Sequence, residues 1–190
     1  MDISVIAFLA LLLAVGILRI FELGVSRRHQ RQMAADGATK VNEPQFRWMV
    51  FVHTAVLIGA ALEVVLLRRP FIPILAAIMF SLFLAANAVR LWVVRTMGKH
   101  WNVQIMNSMG LGVVTDGPFR FVRHPNYAAV FVEMVALPLI HTAWITAVLG
   151  CVGCLATISR RIALEESVLF ANPAYRTAMA GKPRFLPGLF

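Results

Sequence analysis

Long apolar runs alternate with short basic stretches along this chain. Ile3–Ile20 is the first, long enough to cross ~30 Å of hydrocarbon at ~1.5 Å per residue. Arg19 and Glu22 stand at its end, three apart, where they can pair or snorkel. The polar segment from Ser26 to Arg47 follows, with Gly37 breaking a short interfacial helix. Trp48–Leu67 is the second span, with Trp48 as its interfacial anchor and Glu63 within reach of Arg68 and Arg69. The short turn Arg68-Arg-Pro70 makes an antiparallel hairpin with the third span, Phe71–Val94, whose Pro73 falls in the first turn and loses no hydrogen bond. A connector from Gly98 to Thr115, rich in Trp, Met and Leu, folds back onto the membrane surface.

Beyond it, Ala128–Ile140 is an apolar run of only 13 residues, interrupted by Pro138. That is short for an independent span. His141-Thr-Ala-Trp144 leads directly into Ile145–Ile158, so the two form a tight helical hairpin whose second helix runs on through Arg160, Arg161 and Glu165. The tail from Asn172 to Phe190, with three prolines and two glycines, is expected to be irregular. The pattern predicts one all-α integral-membrane domain of about five spans, three in residues 1–94 and a short hairpin in residues 95–190.

Composition supports this: 59% of residues are hydrophobic and 14% charged, against about 25% charged in an ordinary soluble domain. The net charge of +9 is spread over the loops, which suits anionic lipid headgroups and argues against a nucleic-acid partner. Five Lys or Arg lie in the first loop, two in the second, four from Arg95 to Arg123 and none in the fourth. By the positive-inside rule the N-terminus is outside and the C-terminus cytoplasmic. The first run has no basic n-region or small-residue cleavage site, so it reads as a retained span. Cys151 and Cys154 form a CxxC inside an apolar run with no second pair, which fits helix packing and predicts no metal. No GxGxxG or GxxxxGK[ST] occurs, so a soluble nucleotide-binding fold has no support.

The chemistry concentrates in Gly117-Pro-Phe-Arg-Phe-Val-Arg-His-Pro-Asn-Tyr127. Arg120, Arg123 and His124 fall within about one helical turn of the hydrocarbon, where ionisable groups bind or pair with something. Pro125 suits the first turn of a helix, His124 and Tyr127 can share a face, and free N–H groups there make a mild anion site reinforced by Arg120 and Arg123. Farther on, Arg161 and Glu165 are four apart and pair on the helix surface, leaving Glu166 as the inward carboxylate. Pro183-Arg-Phe-Leu-Pro-Gly188 closes the chain. Together these pieces make a cytoplasmic pocket with a cationic side for a carboxylate and an anionic side for an ammonium or hydroxyls. The same residues also fit an ion-pair network locking two helices.

Arg123-His-Pro-Asn-Tyr127, Glu165-Glu166 and Arg184-Phe-Leu-Pro-Gly188, with Gly98-Lys-His-Trp101 and Gly117-Pro-Phe-Arg120, resemble the pattern of the isoprenylcysteine carboxyl methyltransferase family. The resemblance covers roughly residues 95–188. It implies a membrane enzyme using S-adenosylmethionine, with Arg123, His124, Pro125, Tyr127, Glu165, Glu166 and Tyr175 around the cofactor and Arg184 closing over it. The family often has a second tyrosine three residues after the first; here Ala178 follows Tyr175. Asn42-Glu-Pro44, His53 and Glu63 are more similar to bacterial members thought to act on polyketide-derived lipids. Related sterol reductases share part of the C-terminal pattern, which makes an NADPH-dependent membrane reductase the alternative.

Methyl transfer from a sulfonium mainly requires positioning of nucleophile, methyl and sulfur. A carboxylate acceptor needs only a cation to orient it, for which Arg95, Arg120 and Arg184 are candidates. A phenol or enol needs a base, for which His53 and His100 are candidates. Trp101, His100 and Arg95 are expected to meet the acceptor. The function expected is O-methylation of a carboxylate or hydroxyl on a lipophilic, isoprenoid or alkyl-chain molecule that arrives sideways from the bilayer.

Overall fold

The computed structural model describes residues 2–185; Leu186, Pro187 and Gly188 of the closing motif lie outside them. Its first helix, α1 (Ile3–Ala35), runs unbroken for 33 residues. The separate interfacial helix expected between Ser26 and Gly37 is instead continuous with the first span, as the second half of α1. No proline interrupts residues 21–35, and the chain turns only at Gly37, whose φ of 90° favours glycine. A two-residue strand, β1 (Thr39–Lys40), leads into α2 (Gln45–Leu66), and α3 (Pro73–Met97) follows after a short turn.

The connector after α3 is more ordered than its composition suggested. Its strand β2 (Met106–Asn107) pairs antiparallel with β1, Thr39 opposite Asn107, so the otherwise helical fold carries one small β pairing. Trp101, Ile105 and Met106 of this connector are buried. Next come α4 (Pro125–Leu139) and α5 (Trp144–Leu169). The tail, expected to be irregular, forms a further short helix, α6 (Pro173–Met179). Its prolines do not forbid this, because Pro173 stands at the first helical position and the Asn172 side chain accepts from the Ala174 N–H at 3.0 Å.

Four helices, α1, α2, α3 and α5, are long and apolar enough to cross a membrane. At 15 residues, α4 is shorter, about 22 Å against the ~30 Å of hydrocarbon. It is wrapped by protein, with ten of its fifteen residues buried. One apolar cluster joins Phe8 and Leu12 of α1, Val64 of α2, Phe83 of α3 and Leu137 of α4. A second joins Val56 of α2, Tyr127 and Met134 of α4, and Cys154 and Ile158 of α5.

Glycine brings α2 and α5 together: a Cβ at Gly150 would lie 2.7 Å from Val56 Cγ2, and one at Gly153 would lie 3.2 Å from Val52. Glu63 fastens the other end of this contact. It pairs with Arg69 at 2.7 Å and accepts from the Ile145 and Thr146 N–H groups at 3.1 and 2.7 Å. One carboxylate thus joins the α2–α3 turn to the start of α5, a helix end that favours negative charge.

Candidate active site

The central motif begins on a backbone that only glycine tolerates. Gly117 has φ 56°, and a Cβ there would run into the Thr96 side chain on α3. A tight turn over Gly117–Arg120 then swings the chain to Pro125 at the first position of α4. The tail lies across this start. Arg123 N–H donates to the Pro183 carbonyl and His124 N–H to that of Arg184, both at 2.9 Å, while Lys182 Nζ reaches the Phe119 carbonyl at 2.7 Å. Two N–H groups expected to hold an anion are therefore taken by the chain's own carbonyls.

The two adjacent carboxylates of α5 meet different surroundings, and neither matches the arrangement expected from spacing. Glu166 is enclosed by cations: Arg184 Nη2 at 2.6 Å, His124 Nε2 at 3.1 Å and Arg123 Nη1 at 3.4 Å. It does not line the adjoining cavity, whereas Glu165 does. Arg161, expected on the surface beside Glu165, is buried; it pairs with Glu43 at 2.6 Å and donates through Nε to Tyr127 Oη at 2.6 Å. Tyr127 in turn donates to Glu165. The direct pair expected of Arg161 and Glu165 is replaced by a bridge through Tyr127 of α4, whose hydroxyl bonds both.

The cavity holds about 780 Å³ and has two chemically distinct parts. At one end stand Arg123, His124, Asn126, Tyr127, Glu165 and Tyr175; from there it continues between Leu9–Leu23 of α1 and Met49–Leu62 of α2. The Tyr175 phenol is pushed up to about 12 by burial and by the Glu165 charge, so at working pH it is a hydrogen-bond donor. Three buried polar atoms in lining residues have no protein hydrogen-bond partner: Asn102 Oδ1, Arg123 Nε and Asn126 Oδ1. Orphaned buried groups are rare and costly, so one donor and two acceptors here mark a place for a polar ligand. Neither asparagine was singled out from the sequence, although Asn126 lies inside the central motif.

Other expected site residues divide between the cavity and its surroundings. Pro125, His100, Trp101 and His53 line it. His53 Nδ1 lies 2.8 Å from the Met49 carbonyl, which can only accept, so Nδ1 carries the proton and Nε2 keeps a lone pair. Trp101 is held through its carbonyl by His29 Nδ1 at 2.7 Å. Arg95 and Arg120, expected to orient the acceptor, are exposed and outside the lining, and Arg184 is spent on Glu166. The cations that do border the cavity farther in are Arg19 and Arg90. Arg90 pairs with Glu22 at 2.7 Å, and Arg19 pairs with Glu22 at 2.5 Å and also with Glu133. The Arg19–Glu22 pair was legible from its spacing; the partners on α3 and α4 were not.

A model of the isoprenylcysteine carboxyl methyltransferase (ICMT) family matches residues 76–171, half of the chain. The chain belongs to the ICMT family. Membership implies a membrane methyltransferase and favours methyl transfer over the reductase alternative. The chain is 29% identical to the uncharacterized protein YpbQ of Bacillus subtilis over 84% of its own length and 95% of that protein's. It is 27% identical to an uncharacterized protein of Haemophilus influenzae, over 80% and 88% of the respective lengths. A solved structure of the eukaryotic intramembrane Ras methyltransferase ICMT superposes with a TM-score of 0.58 at 18% identity. That match covers 79% of this chain and 56% of the other. The fold is thus ICMT-like, on a chain that spans little more than half the length of that eukaryotic enzyme.

Proposed function

We propose that this ICMT-family member is an S-adenosylmethionine-dependent O-methyltransferase acting on a carboxylate or hydroxyl of an isoprenoid or alkyl-chain lipid. The observation that carries the reading is the single cavity whose polar end opens into an apolar groove between α1 and α2. A groove bounded by Leu9–Leu23 extends along roughly 20 Å of helix, the reach of a long hydrocarbon chain. The polar end suits a ligand bearing an ammonium, hydroxyls and a carboxylate. Glu165 offers an acceptor, Tyr175 a donor, and the orphaned Arg123 Nε, Asn102 Oδ1 and Asn126 Oδ1 supply the rest.

S-adenosylmethionine, when bound, supplies an electrophilic methyl group. The chain's own residues have the tasks of holding the acceptor oxygen in line and excluding water. For a hydroxyl acceptor, His53, through Nε2, and His100 are the candidate bases on the lining able to take the proton. For a carboxylate, no base is needed, and Arg123 is the orienting cation at the polar end of the lining. The cavity is read as facing the cytoplasm, with the N-terminus outside, on the strength of the loop charges.

The test is to incubate membranes holding the full chain with methyl-labelled S-adenosylmethionine and a panel of a prenylated cysteine, an alkylresorcinol, an alkylpyrone and a quinone precursor. Label is expected in one class of organic-soluble product. Label entering none of them, with the protein folded and saturable for NADPH, would reject the reading.

A further inference from the structure

Glu43 lies in the loop before α2, outside the cavity lining, yet it is 8% exposed and joined to the site through a continuous set of contacts. Its Oε1 is 2.6 Å from Arg161 Nη1, and its Oε2 accepts from the Ile105 N–H at 3.3 Å. Beside this ion pair, the hydrogen bonds of Arg161 go to Tyr127 Oη, to the Val103 carbonyl at 2.5 Å and to Met49 Sδ at 3.3 Å. Tyr127 then donates to Glu165 on the cavity wall.

Proton directions along this chain are forced by its chemistry. A guanidinium only donates, so Tyr127 Oη is an acceptor toward Arg161 and its one proton must point at Glu165. That oxygen of Glu165 is thereby held as an acceptor. Its other oxygen has no hydrogen bond from the protein among the described residues and belongs to a residue that lines the cavity. A cationic or hydroxyl-bearing ligand is what such a group receives.

From this geometry we infer that Glu43 and Arg161 are positioning residues for the cofactor end of the cavity. Glu43 fixes the guanidinium, the guanidinium fixes the Tyr127 hydroxyl, and the hydroxyl aims Glu165 at the ligand. The relay also ties two halves of the molecule together. Glu43 belongs to the loop between α1 and α2, which form the apolar groove, while Tyr127 and Glu165 belong to the polar end. Arg161 bonds Met49 and Val103 as well, both on the cavity lining.

The inference rests on the proposed cofactor, and S-adenosylhomocysteine is the probe: calorimetric titration into detergent-purified full-length protein, native, Glu43→Ala, Tyr127→Phe and the double variant. Glu43→Ala is expected to weaken binding about 10-fold although Glu43 itself is not part of the cavity lining. Adding it to Tyr127→Phe should cost nothing further, because both break one relay. Arg161→Lys, which keeps the charge but cannot reach Tyr127, Glu43 and Val103 together, should resemble Glu43→Ala. Native affinity in Glu43→Ala, or losses that multiply in the double variant, would overturn the relay. Should Glu43→Ala not fold, Glu43→Gln serves in its place: an unchanged affinity would overturn the relay and a loss of about 3-fold support it. A native protein that fails to bind S-adenosylhomocysteine would instead overturn the proposed cofactor.

Discussion

Two charge clusters border the same cavity but differ in how completely their members are paired. In the first, among the described residues, Arg19, Glu22, Arg90 and Glu133 form ion pairs only with one another, across α1, α3 and α4. Two cations meet two carboxylates, and the cluster is neutral. In the second, around Tyr127 and Glu165, the polar groups are incompletely matched, with Arg123 Nε and Asn126 Oδ1 left without partners. Charge inside a membrane has two uses that a sequence presents alike: under the proposed function the closed cluster fastens helices and the open one receives the ligand. The surroundings differ in the same sense. Only five of the 33 residues of α1 are buried, so it faces lipid and needs pinning, whereas α4 is held on nearly every side by protein.

Substitutions should separate the two clusters. The largest effect is expected at the open one. Glu165→Gln removes a charged acceptor from the cavity wall and should weaken S-adenosylhomocysteine binding by about 10- to 100-fold, with little change in unfolding temperature. In the closed cluster the pattern reverses. Arg19→Met leaves Glu133 without its charged partner and should destabilise the protein by about 3–5 kcal/mol, read as a lower unfolding midpoint in detergent. Affinity of the folded fraction should stay within about 2-fold of native. Combining Arg19→Met with Glu133→Leu should recover most of that stability, since an apolar pair replaces a buried ion pair at little cost.

Smaller effects sharpen the boundary between fastening and binding. Gly150→Val drives a side chain into Val56 across the α2–α5 contact and should cost about 1–3 kcal/mol in the same thermal assay. Arg184→Gln is the mildest. Its side chain is half exposed, so little stability should be lost, but the tail it secures to Glu166 would release a bound ligand a few-fold faster in a stopped-flow chase.

Much of the fold was legible because bilayer thickness imposes long apolar runs, and the polar breaks between them mark the turns. Pairs close in sequence, such as Arg19 with Glu22 and Glu63 with Arg69, followed from spacing alone. What could not be read was contact between distant segments. Glu165 and Glu166 differ by one position, and helix geometry says only that they point about 100° apart. Which of them meets the cavity depends on where α4 and the tail lie. Arg123, His124 and Arg184 converge on Glu166, and Tyr127 comes between Arg161 and Glu165. The β1–β2 pairing was invisible for a related reason: two residues per strand carry no periodicity, and their partners are distant in sequence. Arg95 and Arg120 were chosen for their charge near the membrane face, but charge alone does not tell a lipid-headgroup arginine from a cavity one.

The most direct test compares equilibrium binding of S-adenosylhomocysteine to native protein, Glu165→Gln and Arg19→Met in one detergent. Saturable binding to native and Arg19→Met, lost in Glu165→Gln, is the result expected if the open cluster holds the methyl donor. Equal binding to all three, or binding of NADPH alone, would contradict it.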